Sequence, residues 1–447
     1  MSTTPAPAGG LSGFRTLHLS KLLRQPVTDK DGGSIGRLSD VIVRLRGADS
    51  PVVTGLVATV GGRSLYVPVE QVAGLEGAEL RLTSARLDLR QFERREGEVL
   101  LRADVLGHRL IDVPSAQLVR AADLELAQRH GEWVVTGVDS RRRPRRLIGA
   151  LAASRSGRPG RPAHPAASAP PAFREWGTFE PLIGHTGSAQ SRRPAGRIRR
   201  LRPAQIADLL EDASRAEETE ILGQVGADPE LEADVFEELD EDLAARLLGA
   251  RTDAEIAAVL GRMRADDAAD AIAELPQRRR QPVLDLLPPV QQAKVRILMG
   301  FNPASAGGLM GVDFVTVGAD ANVASALAAV AAATGLQPEA LTSVHVIDEN
   351  GRLRGVARLV TLVQADRAKA VGEVFDADPV RVGAATDIVD VAVLMSDYNL
   401  TTIPVVDEHQ RIIGVITVDD VLEVALPVDW RRREAAEPPD ARGGRQQ

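Results

Sequence analysis

The sequence predicts a multidomain chain: an N-terminal β-barrel, a central all-α superhelix and a C-terminal α/β pair of repeated units. Three observations predict it. Residues 14 to 138 alternate apolar and polar positions in short runs broken by Gly-rich turns, the pattern of half-buried strands. From Pro203 to Met299 the apolar period becomes 3.6 residues. In the last third, Val344-His-Val-Ile-Asp-Glu-Asn-Gly-Arg-Leu-Arg-Gly-Val356 recurs as Ile403-Pro-Val-Val-Asp-Glu-His-Gln-Arg-Ile-Ile-Gly-Val415, with Asp348 to Asp407 and Gly355 to Gly414 both 59 positions apart. A length of 447 residues at 44% hydrophobic suits about three such domains.

Taken in order, residues 1–13 read as a disordered tail, with neither a basic nor an apolar signal region. The barrel spans 14–140. Its strand-like runs are Ser34 to Leu45, Val52 to Val60 and Ser64 to Val69, with turns at Asp31-Gly-Gly33 and Gly61-Gly62. A fainter echo matches Val105-Leu-Gly-His-Arg-Leu-Ile-Asp-Val113 to Ser34-Ile-Gly-Arg-Leu-Ser-Asp-Val41, and Glu132 to Val138 supplies another strand. Residues 141–200, rich in Arg, Pro, Gly and Ser, cannot bury enough apolar area to offset chain entropy and read as a linker. One aromatic island in it, Phe173 to Ile183, is expected to dock on a neighbouring domain.

Residues 201–300 carry short amphipathic helices, among them Ile206 to Leu210, Leu231 to Leu239, Ile256 to Met263 and Ala268 to Leu275. Their starts are visible as the capping box Thr252-Asp-Ala-Glu255 and the prolines Pro229 and Pro276. Helices this short must stack on one another to share a core. The repeated units occupy 301–370 and 371–427, each a strand, a polar turn, a second strand and a helix; 428–447 reads as a second disordered tail. No apolar stretch reaches the 18 or so residues of a membrane-spanning helix; Val323 to Ala333 is short and Ala-rich, suited to packing on a sheet.

Net charge is -8, but segregated: Arg141 to Arg146 and Arg192 to Arg202 are basic, whereas Glu211 to Asp270 is strongly acidic. With no cysteine, disulfides, thiolate metal sites and Cys nucleophiles are excluded, which fits a reducing cytoplasm. The 7 histidines show no metal-binding spacing, so zinc is not expected, and His345 reads as a core residue of a strand. Neither a Gly-x-Ser-x-Gly elbow nor a phosphate-binding Gly-x-x-x-x-Gly-Lys loop occurs, and the expectation is a non-enzyme. An aromatic content of 3% offers few stacking platforms, so a nucleic-acid partner is not favoured, and the Arg-rich run reads as a solvated linker.

The duplicated signature resembles the CBS domain, whose tandem pair forms a small-ligand sensor. Residues 14 to 138 resemble a PRC-barrel, as two half-units, through the Gly-x-Leu/Ile-x-Asp-Val pattern and Tyr66-Val-Pro-Val69. The order superhelix, Ser305-Ala-Gly-Gly-Leu-Met310, CBS pair is similar to the cytosolic region of MgtE-type magnesium transporters. Supporting matches are Leu201-Arg-Pro-Ala-Gln-Ile-Ala-Asp-Leu-Leu210, Asp266-Asp-Ala-Ala-Asp-Ala-Ile-Ala-Glu-Leu-Pro276 and Gly414-Val-Ile-Thr-Val-Asp-Asp-Val-Leu422. Family transporters continue from the second CBS unit into membrane helices. The resemblance therefore implies a cytosolic magnesium-sensing module without its own pore, relaying its state to a macromolecular partner docked by the barrel or serving as accessory subunit of a separate transporter, and a homodimer through the CBS pair. PRC-like relatives bind macromolecules, which makes an RNA- or ribosome-associated factor a rival.

Magnesium prefers carboxylate oxygens and keeps several waters. Asp266, Asp267 and Asp270 sit together at the start of one helix, either as a cation-binding face or as an ordinary solvated one. The resemblance adds Asn399, Asp420 and Glu423 as facing ligands, with Asn399 where the family carries Asp. Closure would be electrostatic, Mg2+ offsetting carboxylate repulsion between two domains. The resemblance also places an adenine nucleotide, ATP or AMP, at Gly414, Thr417 and Asp420, unless Thr417 and Asp420 only cap a helix. At the same offsets the first unit presents Gly355, Arg358 and Thr361, so at most one nucleotide site is expected.

Overall fold

The computed structural model describes residues 16–45, 50–83, 90–95, 97–140, 173–182 and 196–425. The expected tails, 1–13 and 428–447, lie outside the described residues, as do 141–172 and 183–195 of the expected linker. The chain divides into two compact units, Met1–Val235 and Phe236–Gln447.

The N-terminal unit is sheet-rich. In chain order it holds β1 (Thr16–His18), α1 (Leu19–Leu22), β2 (Pro26–Thr28), β3 (Ser34–Arg44), β4 (Val52–Val60), β5 (Arg63–Pro68), β6 (Leu80–Arg81), β7 (Glu98–Leu100), β8 (Arg109–Asp112), β9 (Gln117–Arg120), β10 (Asp123–Arg129), β11 (Glu132–Asp139), β12 (Arg174–Glu175) and β13 (Phe179–Pro181). The main sheet runs β1-β10-β11-β4-β3-β2-β6, with β5 on β4, β7 on β3 and β12 on β11; β13-β8-β9 form a second sheet. One core of Leu, Val and Ala side chains with Trp133, Trp176 and Phe179 fills the half-barrel.

Its two halves are duplicates, in a register different from the echo read above. Val52-Val-Thr-Gly55 returns as Val134-Val-Thr-Gly137, and Asp40-Val41 as Asp123-Leu124, so β3 and β4 correspond to β10 and β11. Val105 to Val113 is therefore not a copy of Ser34 to Val41: Leu101–Val105 is a π-helical turn, and β8 begins only at Arg109. The halves exchange their first elements. β1 pairs with β10 of the other half, while β7, its counterpart, pairs with β3. Likewise, Asp40 accepts from the backbone N–H groups of Arg102 and Ala103 at 2.8 and 3.1 Å, capping the later half's helical turn. Asp123 in turn accepts from Ser20 N at 3.0 Å and from Ser20 Oγ, capping α1.

The reading of 141–200 as a linker needs correction, because residues on its far side re-enter the same sheets. β12 pairs with β11 (Val138 opposite Arg174) and β13 with β8 (Phe179 opposite Asp112). Trp176 and Phe179 are 2% and 0% exposed, each contributing about 2 kcal/mol of burial. Arg174 Nη2 donates to buried Asp112 at 2.7 Å and so fastens the segment. The aromatic island docks, as expected, on the sheet-rich unit. Helices α2 (Pro203–Asp212) and α3 (Arg215–Val225) also belong to this unit. Arg109 of β8 donates to Asp212 O at 2.9 Å and to Glu217 at 3.4 Å.

The unit boundary falls within α4 (Pro229–Glu237). The C-terminal unit continues with α5 (Glu241–Gly249), α6 (Asp253–Leu260), α7 (Ala265–Glu274), α8 (Gln277–Leu286) and α9 (Pro289–Leu298). Each packs against the helix two further along, α5 on α7, α6 on α8 and α7 on α9, which is how short helices share one superhelical core. The Thr252 box forms as expected: Thr252 Oγ1 accepts from Glu255 N at 3.3 Å, and Glu255 Oε2 accepts from Thr252 N at 2.8 Å.

After the short helix α10 (Ala306–Leu309) come β14 (Val315–Gly318), α11 (Val323–Ala332), β15 (Ser343–Ile347), β16 (Leu353–Arg358) and α12 (Leu359–Gln364), then the second repeat: β17 (Val382–Gly383), α13 (Ile388–Asp397), β18 (Thr402–Val406), β19 (Ile412–Thr417) and α14 (Val418–Ala425). Each repeat is a three-stranded sheet, β14-β15-β16 and β17-β18-β19. In the hairpin turns, Asp348 accepts from the amides of Asn350 and Arg352, and Asp407 from those of His409 and Arg411, all at 2.9 Å. His345 is 0% exposed, its ring edge-on to Phe314, and burial pushes its pKa down to about 4.

Candidate functional site

Residues 59 apart meet between the repeats: Thr342 Oγ1 lies 3.2 Å from Thr401 Oγ1, and Thr402 Oγ1 donates to Ser343 Oγ at 3.0 Å. These contacts mark an approximate two-fold axis, and a cleft lies on each side of it.

The larger cleft holds about 620 Å³ and is lined by Thr342, Arg358, Asp376, Tyr398, Asn399 and Thr401, with Val356, Val360, Val363 and Val380 as apolar wall. Arg358 ends β16 at the place where Thr417 ends β19. An aromatic face, a guanidinium, a carboxylate and several hydroxyls around one cavity suit a planar ring carrying a sugar and phosphate.

The smaller cleft holds about 280 Å³ and brings together Arg264, Asp266, Lys294, Asp313, Gln337, Thr417 and Asp420. Thr417 and Asp420 form a reciprocal cap at the start of α14, Asp420 Oδ2 accepting from Thr417 N and Oγ1 at 2.9 and 2.8 Å. Gly414 serves packing: a Cβ there would strike Met310 of the Ser305-to-Met310 junction, as one at Gly355 would strike Phe375.

Arg264, immediately before α7, governs the charge of this cleft. Its Nε donates to Asp267 at 2.6 Å, its Nη1 to Asp420 Oδ1 at 3.3 Å, and its backbone N–H to Glu237 at 2.6 Å. The Gln337 carboxamide, with its oxygen turned inward, accepts from Nη1 at 2.6 Å. Burial opposes the guanidinium's charge, but Asp267, Asp266, Glu237 and Asp420 more than offset it and hold its pKa above the ordinary range. Burial pushes the Asp266 carboxyl up, against the pull of Arg264 and with Asp313 adding to the rise; Asp420 is raised by burial and further by Asp266.

Of the six residues read as magnesium ligands, Asp266 and Asp420 share this cleft and Asp267 is tied to Arg264 at its edge. Asp270 is exposed and lines neither cleft, Asn399 lies in the larger one, and the side chain of Glu423 on α14 falls outside the described residues. Both oxygens of Asp420 are engaged, by Thr417 and by Arg264. Among the described residues no three carboxylates or imidazoles gather as a metal shell, so these residues as folded do not fit a single Mg2+. The position between α7 and Asp420 is filled by a guanidinium. Nothing in the sequence marked Arg264, because arginine is not a capping residue type and its partner lies 156 positions away.

Residues 201–304 match the family model of the MgtE intracellular N domain, and residues 371–427 that of the CBS domain. The magnesium transporter MgtE of Thermus thermophilus is 39% identical over 164 residues, 36% of each chain. That of Enterococcus faecalis is 27% identical over 134 residues, 30% of this chain and 29% of the relative. Among solved structures, the cytosolic domain of the Mg2+ channel MgtE in complex with ATP aligns with a TM-score of 0.48 at 31% identity, over 51% of this chain and 92% of that one. The chain spans about a third of the length of these two curated relatives. Among the described residues no helix is long and apolar enough to cross a membrane. Residues 201–304 and 371–427 are thus similar to an MgtE intracellular N domain followed by a CBS domain, in the order that the fold also shows.

Proposed function

We propose that the chain is a non-catalytic, cytoplasmic regulatory module of magnesium transport whose CBS pair takes an adenine nucleotide in the larger cleft. The observation that carries this reading is the open cavity in which Arg358, Tyr398 and Asp376 surround an apolar wall. Arg358 suits the phosphates, Tyr398 the base and Asp376 the ribose hydroxyls. Relatedness to magnesium transporters over 164 and 134 residues supports the regulatory context. Titration calorimetry of the full chain with ATP and AMP tests it. Saturable heat is expected, with affinity falling at least tenfold in Arg358→Ala (about 1.4 kcal/mol or more); no heat with either nucleotide would remove the reading.

Magnesium sensing is the second reading, favoured by the relatedness to magnesium transporters and by Asp266 in the smaller cleft, where Lys294 pairs with Asp313 and Arg264 with Asp420. A hydrated Mg2+ would act there as counter-ion, not as a caged ligand. Small-angle scattering with and without millimolar magnesium decides it: an unchanged radius together with no heat of binding counts against a sensor. The module is read as working with a partner held by the PRC-like N-terminal unit, and a membrane transporter co-purifying with the chain would identify the accessory-subunit form. A second copy of the chain is the expected partner of the CBS pair.

A further inference from the structure

We propose that Arg264 locks the smaller cleft against nucleotide, so that docking of the helical domain and ligand entry at Thr417 and Asp420 compete for one carboxylate. This rests on the reading that the CBS pair binds adenine nucleotides. The residue pattern and the geometry point in opposite directions. Only the second repeat has the full Gly414, Thr417, Asp420 set, yet its cleft is the small one, about 280 Å³, just below the range of about 300–1,000 Å³ usual for ligand pockets. The first repeat has Arg358 and Thr361 at the matching places, and its cleft is open at about 620 Å³.

The cause is a single guanidinium. Asp420 Oδ2 is taken by Thr417, which leaves Oδ1 for any ribose hydroxyl, and Oδ1 accepts from Arg264 at 3.3 Å. Asp267 and Gln337 hold the same guanidinium from other sides, and the Arg264 backbone N–H is tied to Glu237 of α4. Arg264 therefore cannot leave Asp420 as a lone side chain without breaking several charge-assisted bonds, and its withdrawal moves the start of α7 with it. A ligand at Asp420 must pull the helical domain away, and a docked helical domain excludes the ligand. By linkage each event weakens the other by the same factor.

The test is the number of nucleotide equivalents bound per chain, by calorimetry on the full protein with ATP. The native chain is expected to bind one, Arg264→Gln two, and the double variant Arg264→Gln with Asp420→Asn one again. A native chain that takes two equivalents with equal affinity overturns the lock, as does an Arg264→Gln chain that folds and still takes one. Zero in the native chain and one in Arg264→Gln keeps the lock and removes the larger-cleft reading; zero in both removes nucleotide binding and the lock together. Should Arg264→Gln melt early, hydrogen exchange on the native chain stands in for it. Forcing in a second equivalent at high ATP must raise exchange at Arg264 and Ala268, whose amides donate to Glu237 and to Arg264 O. A second equivalent bound with both amides still protected overturns the proposal.

Discussion

Two buried titratable residues, one in each unit, contribute to stability in acid with opposite sign. Burial raises the pKa of Asp40 from 3.8 to about 6, against three backbone N–H groups that favour its charge. The folded state then binds the proton more tightly, so this contribution is complete below about pH 3.8 and is lost as pH rises through 6, about 3 kcal/mol in all. His345 is the reverse: its pKa falls from 6.5 to about 4, so its contribution is complete above pH 6.5 and is lost as pH falls through 4, again about 3 kcal/mol. Denaturant melts between pH 7 and 4.5, following Trp133 and Trp176 fluorescence for the N-terminal unit and hydrogen exchange of β15 for the CBS pair, should separate the two. In Asp40→Asn the acid-side gain of the first unit disappears, and in His345→Gln the acid-side loss of the second is reduced. A native His345-dependent slope of zero would mean that the ring is protonated equally well in both states.

At the scale of elements, the crossed caps make the sheet-rich halves interdependent. Asp123, 0% exposed, serves three donors, Ser20 N, Ser20 Oγ and Leu124 N. Asp123→Ala is expected to cost about 2–4 kcal/mol, since it strands the start of α1 and empties a buried site. Because β1 lies on β10, exchange protection should fall in both halves together; a loss confined to residues 16–28 would show that the exchange of elements carries no coupling. This duplication was present in the sequence as Val-Val-Thr-Gly twice, but a longer similarity at Val105 to Val113 competed with it, and only strand pairing decides between registers. The extent of the N-terminal unit was not legible for a related reason. β12 returns to β11 across a polar insertion, and composition reports the insertion but not where the chain goes afterwards. The CBS pair was legible because both copies carry the same hairpin at a fixed offset. In that hairpin Gly351 and Gln410 take left-handed φ values of 75° and 62°, so Gln410→Gly should raise the melting temperature by removing a strain of about 1–2 kcal/mol, less the lost Arg381 contact.

For the molecule as a whole, the exposed apolar side chains bear on the expected assembly. Val360 and Val363 on α12, Val389 and Val393 on α13, and Leu422 and Val424 on α14 are 45% to 68% exposed, and all belong to the CBS pair. Singly such residues are ordinary, but a set on the helices of one domain marks a surface that another molecule covers. A second copy presenting the same helices would bury like against like in a two-fold contact. Sedimentation equilibrium should therefore find a dimer, and Val389→Glu with Val393→Glu should weaken it at least tenfold, about 1.4 kcal/mol or more, through buried unpaired charge. Val360 and Val363 also wall the larger cleft, so a dimer contact on these helices would draw on the same residues as the proposed nucleotide site. Linkage then requires nucleotide affinity to vary with protein concentration, and requires saturating nucleotide to shift the dimer constant by the same factor. Affinity that stays constant from dilute monomer to concentrated dimer would separate the two events and confine the exposed valines to the cleft.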